Sequence, residues 1–169
     1  MISIKKTLYV ICILLLGVPF IIRFGSARSI IIAGTLYCLL AHLSYIDLIQ
    51  KRIPNHDIVA IAVTAIFDCI LSGKSITERL FVLISLSMIL IVLKYKNPQI
   101  MGFGDIKLIC VSSLWLGIYT ITAYLIGVIC AGIVFGLLLL TRKIDRKSRP
   151  AVGPYISIGI WITYLLIIK

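Results

Sequence analysis

MGFGDIKLICVSSLWLGIYTITAYLIGVICAGIVFGLLLLT, residues 101–141, carries its charges at Asp105 and Lys107 and then runs uncharged to Thr141. About 20 apolar residues cross a bilayer as a helix. The stretch therefore reads as two spans, one beginning near Asp105 and reaching about Ile118, the next covering residues 120–141, with a turn near Gly117. At its head a carboxylate stands beside two glycines at the edge of an apolar segment. A charge is costly there, and an acid in that position is a functional candidate.

The rest of the chain repeats the pattern. It has 169 residues, 61% of them hydrophobic, and a mean hydropathy of +1.15. No soluble domain of this length needs so much apolar surface. The expected fold is all-α, a polytopic transmembrane bundle of about seven spans. The other five fall at residues 7–22, 29–49, 57–73, 76–93 and 153–168. The first resembles a signal peptide after Lys5 and Lys6, but Pro19-Phe20-Ile21-Ile22-Arg23 offers no small-x-small cleavage site, so a retained anchor is expected. This divides the chain into an N-terminal anchor helix and loop, residues 1–28, and a six-helix core, residues 29–169.

Loop charge orients the bundle. One side receives Lys5, Lys6, Lys51, Arg52, Lys94, Lys96, Lys107, Arg142, Lys143, Arg146, Lys147 and Arg149. The other receives Arg23, Arg28, Lys74, Arg79 and Lys169. The positive-inside rule puts the richer side, and the N-terminus, in the cytoplasm and the C-terminus outside. The net charge of +11 is thus read as topology and contact with lipid headgroups. No basic run is interleaved with exposed aromatics, so nucleic acid is not an expected partner. Cys12, Cys38, Cys69, Cys110 and Cys130 fall inside apolar segments without a CxxC and read as small buried hydrophobes. No metal is expected.

Of the six acids, Asp145 reads as a solvated loop residue, Glu78 as a partner of Arg79, Asp57 as a helix cap and Asp68 as an interfacial acid. Asp47 and Asp105 stand apart, both at the cytoplasmic ends of their spans. Taken singly, each has an ordinary explanation: Asp47 could pair with Lys51, and Asp105 could answer the macrodipole at a helix start. Taken together on one face, they suit water activation. Two carboxylates a few ångströms apart share one proton. The ionised one deprotonates water and the protonated one donates to the scissile carbonyl. Helix position assigns the charge to Asp105 and the proton to Asp47, although such a pair titrates as a unit. Gly102 and Gly104 are read as backbone freedom that lets a substrate strand approach. His42 reads as a packed helical histidine. Gly132 and Gly136 read as a GxxxG packing stripe. HExxH, GxSxG and P-loop patterns are absent.

These residues resemble the type IV prepilin peptidases, GxGD-type aspartyl proteases. Asp47 followed by Ile53-Pro54-Asn55 matches the first family motif. Gly102-Phe103-Gly104-Asp105 with Lys107 matches the second. Pro150-Ala151-Val152-Gly153-Pro154 loosely matches a late Pro-x-Gly-Pro element. The resemblance covers roughly residues 29–168. It implies catalytic roles for Asp47 and Asp105, and substrate positioning by Gly102, Gly104 and Lys107. Pro54, Asn55, Gly153 and Pro154 would serve as structural motif residues. The implied substrate is a prepilin or pseudopilin, cut behind a short basic leader at the cytoplasmic membrane face, without a cofactor. Longer members carry a cysteine-rich segment and N-methylate the product. Paired cysteines are absent here, so S-adenosylmethionine is not expected. The alternative is a small non-enzymatic subunit or an ion-coupled transporter component, which would place its acids near the bilayer midplane. The oligomeric state is left open.

Overall fold

A computed structural model describes residues 27–98, 101–142 and 151–167. The expected anchor span at residues 7–22 lies outside them. The described chain is helical: α1 (Ala27–Gln50), α2 (Asn55–Ser72), α3 (Ile76–Lys96), α4 (Phe103–Leu116), a 3-10 turn (Gly117–Tyr119), α5 (Thr120–Leu140) and α6 (Gly153–Ile167). No strand occurs among the described residues. Four helical stretches are long and apolar enough to cross a membrane, with α6 a shorter apolar helix. The protein is an all-α polytopic membrane bundle.

Each break has a local cause. Pro54 cannot continue α1 and sits at the N-cap of α2 with extended backbone. Gly73 closes α2 at φ 63°, a left-handed conformation that glycine adopts without a Cβ penalty. Ser75 caps α3 by accepting the Glu78 N–H. The apolar run from Phe103 to Leu140 spans 38 residues, which as one straight helix would be about 57 Å long, far beyond a hydrocarbon core of about 30 Å. Gly117, at φ 58° and ψ −133°, breaks it where the sequence places the turn.

α4 is the central helix. Nine of its 14 residues are buried, and it touches α2, α3, α5 and α6. Trp115 donates its indole N–H to the Ile61 carbonyl at 3.0 Å and meets Tyr164 edge-on. The outer faces of α2 and α3 remain apolar: Val59, Val63, Phe67, Phe81, Ile84 and Met88 are exposed, as lipid contact requires. Two contacts define one end of the bundle, Ile53 against Gly104 and Asp47 against Gly153. At the other end Cys69 and Arg79 reach the last carbonyls of α4.

The packing stripe on α5 differs from the expected one. A Cβ at Gly132 or Gly136 would meet nothing within 4 Å, whereas one at Gly159 would lie 2.1 Å from the Ala123 carbonyl oxygen and one at Gly127 2.9 Å from that of Tyr155. The close α5–α6 approach is therefore made by Gly127 and Gly159. Spacing alone does not show which side of a uniformly apolar helix faces its neighbour. Gly159→Ala is expected to lower stability by about 1–3 kcal/mol. Gly132→Ala should change it by less than about 0.5 kcal/mol. Unfolding of the two variants in detergent micelles provides the comparison.

Candidate active site

Three helix ends build the site. Asp47 lies in the last turn of α1, Asp105 in the first turn of α4, and Gly153 opens α6. Asp47 is buried, at 5% exposure. Its Oδ2 accepts the Gly153 N–H at 3.0 Å, a bond that satisfies one of the four donors a helix start leaves orphaned. Asp105 is half-buried, and its Oδ2 accepts the Gly102 N–H at 3.2 Å. Asp47 lies close enough for its charge to act on the Asp105 carboxyl. Each is thus held by a glycine N–H at the head of a helix. Helix dipoles do not separate Asp105 from Asp47, because α6 brings a helix N-terminus to Asp47 as α4 does to Asp105.

The ordinary pairing of Asp47 with Lys51 is not formed through the carboxylate. Lys51 instead donates its backbone N–H to the Asp47 carbonyl at 2.8 Å. The glycines before Asp105 also act differently from the sequence expectation. Gly102 has φ −71°, and Gly104 is not among the positive-φ residues, so neither uses backbone space reserved for glycine. A Cβ on Gly104 would lie 2.9 Å from the Ile53 Cβ. Gly104 lets the first motif lie directly against the second. Lys107 completes this union, donating to Asn55 Oδ1 at 3.0 Å.

Two neighbours of the acids carry no signal in sequence. Lys94 donates to the Met101 carbonyl at 2.6 Å and sits 4.1 Å from the Phe103 ring centroid, pinning the turn that delivers Asp105. Tyr124, on α5, lies within electrostatic reach of Asp105.

The sequence profile of the Type IV leader peptidase family matches residues 34–137. The chain belongs to that family. The matched segment contains both motif acids and Lys107; Gly153 lies beyond it. A prepilin leader peptidase/N-methyltransferase of Aeromonas salmonicida (strain A449) is 35% identical over 66 residues, which is 38% of this chain and 23% of that protein. A second A. salmonicida sequence of the same name matches equally. The match thus spans about a quarter of those relatives' length. No solved structure matches.

The remaining polar residues of this family member depart from their simple readings. Asp57 does not cap α2, whose N-cap, Pro54, receives no side-chain bond. Asp57 is buried at 3% exposure and meets His42 and His56, so His42 is not merely a packed residue. Asp68 is buried too, and accepts from Lys74 at 2.7 Å and Ser72 at 3.0 Å. Arg79 turns to the carbonyls of Leu114 and Trp115. Cys69 and Cys110 are buried as expected, but Cys38 is exposed.

The Asn55–Lys107 bond yields a test of how the two motifs are joined. Each single alanine substitution removes the whole bond, so either alone should cost about as much as the two together. A double-mutant cycle should return a coupling of about 0.5–1.5 kcal/mol, measured by unfolding in micelles. Strict additivity would mean that the bond does not hold the motifs together.

Proposed function

We propose that this chain is an aspartyl endopeptidase of the membrane that removes the leader peptide of type IV prepilins or pseudopilins. The proximity of Asp47 and Asp105, each held by a glycine N–H within one end of the bundle, carries this reading. Family membership supports the peptidase class. The printed names of the A. salmonicida relatives support the prepilin substrate.

In the proposed mechanism the acids share one proton, because ionising both at short range is costly. The ionised carboxylate takes a proton from water. The resulting hydroxide attacks the scissile carbonyl carbon while the protonated carboxyl donates to the carbonyl oxygen. Collapse of the tetrahedral intermediate breaks the C–N bond, and the amine leaves with a proton from the pair. No acyl-enzyme forms and no cofactor is needed. Gly153 and Gly102 hold the carboxylates in place. Gly104 and Lys107 hold the two motifs together and position substrate at the exposed edge of the site.

The loop cations favour a cytoplasmic location for this end of the bundle. Both acids sit in terminal helical turns, which suits a substrate segment entering from the water–membrane boundary. Midplane ion carriage would place the acids in the middle of their helices.

Co-expression with a prepilin tests the reading. Wild type should yield mature pilin. Asp47→Asn and Asp105→Asn should each lower cleavage by several orders of magnitude, since a lone carboxyl cannot perform both proton transfers. Equal maturation by all three proteins would end the proposal. Gly153→Ala offers a finer probe. Its Cβ would lie 2.6 Å from Asp47 Oδ2, so the buried carboxylate must move and its bond to the Gly153 N–H is lost. The variant should lose about 1–3 kcal/mol of stability and, where still folded, cleave at least about tenfold more slowly, a rate loss corresponding to about 1.4 kcal/mol.

A further inference from the structure

α1 and α2 meet at a second polar cluster outside the Asp47–Asp105 pair. His42 lies about two turns before the end of α1, while His56 and Asp57 lie in the first turn of α2. His42 Nδ1 is 3.1 and 3.0 Å from the two Asp57 oxygens. His56 Nε2 is 3.4 Å from Asp57 Oδ1. One donor atom from each residue falls within 4.8 Å of the other two. Nitrogen and oxygen ligands about 2.0–2.1 Å from a tetrahedral ion lie roughly 3.3 Å from one another, which the two His–Asp57 separations match; the exposed histidine rings need only a small side-chain rotation to close the third.

We propose that His42, His56 and Asp57 form a binding site for a divalent transition-metal ion of the zinc type. Two imidazoles and one carboxylate are a suitable donor set, with the fourth position left to water. The burial pattern supports it. The Asp57 side chain is 5% exposed, and among the described residues its ion-pair partners are the two histidines alone. With both imidazoles neutral, as metal ligation requires, the buried carboxylate has no compensating charge, and an isolated buried charge is unfavourable. A divalent cation supplies that compensation. The histidine side chains are 54% and 72% exposed, which leaves the ion a path from water.

The ion would act as a clamp. His42 and the His56–Asp57 pair lie on opposite sides of residues 51–54, the link between α1 and α2. Fixing them together would fix where α1 ends and hence where Asp47 is presented. The ligands are separate from the residues given catalytic roles above, and the site does not depend on the peptidase reading.

Protein without a polyhistidine tag, purified in micelles and stripped with chelator, would be titrated with Zn²⁺ alone and, separately, with Co²⁺. Wild type should bind one ion per chain, give the visible Co²⁺ spectrum of a tetrahedral site, and melt at a higher temperature with Zn²⁺. His42→Gln and His56→Gln, at exposed side chains, should retain their helical circular dichroism. Each should weaken Zn²⁺ binding by at least roughly 10–100-fold, the loss expected even for groups that only support a metal ligand, and should lose the rise in melting temperature. Binding of equal strength in wild type and both variants would overturn the site, as would absence of saturable binding by wild type.

Discussion

The bond from the Gly153 N–H to Asp47 joins residues 106 positions apart, and the geometry of the site depends on it. A helix start exposes donors that hydrocarbon cannot satisfy, and a buried carboxylate needs donors of its own. The end of α1 and the beginning of α6 resolve both demands at once. Losing either partner would leave a buried polar group unmatched, at a cost of about 1–3 kcal/mol or more for a charged one. Asp47 is therefore a structural acceptor as well as a chemical group. Gly153 is confined to a hydrogen side chain by the same contact, because a Cβ would occupy the space of the carboxylate.

Three other polar residues follow a related rule. Lys94, Asp105 and Arg79 each spend hydrogen-bonding capacity at a helix end, where backbone groups are unpaired. Lys94 binds the Met101 carbonyl just before α4, Asp105 takes the N–H of the α4 N-cap, and Arg79 takes the carbonyls at its far end. Between these ends the bundle is held by apolar packing and close glycine contacts. The chemistry-bearing residues consequently gather at the rim without any polar channel through the core being required.

Much of this was legible in the sequence because bilayer solvation acts on whole segments. Helices expected at residues 29–49, 76–93 and 120–141 form as Ala27–Gln50, Ile76–Lys96 and Thr120–Leu140, with Pro54, Gly73 and Gly117 marking breaks that follow from backbone chemistry alone. Asp47 and Asp105 stood out as costly charges, and the structure brings them near one another. Pairings that depend on helix rotation were not legible. A uniformly apolar α5 gives no sign that Gly127, rather than Gly132, faces α6. Nothing in the spacing of His42 and Asp57 distinguishes a contact across a turn from a cap, since that depends on how α1 and α2 are rotated about their axes. Gly104 was visible, but its reason was not: the Ile53 side chain that needs the space is more than 50 positions away.

Arg79 gives α4 a second anchor. At one end Lys107 ties the helix to Asn55; at the other, Arg79 grips the carbonyls of Leu114 and Trp115. A helix of 14 residues is only about 21 Å long, so sliding it along the bundle axis would break both attachments together. α4 is in effect a ruler clamped at its two ends. The position of Asp105 along the bundle axis is set partly by a cation at the opposite end of the bundle.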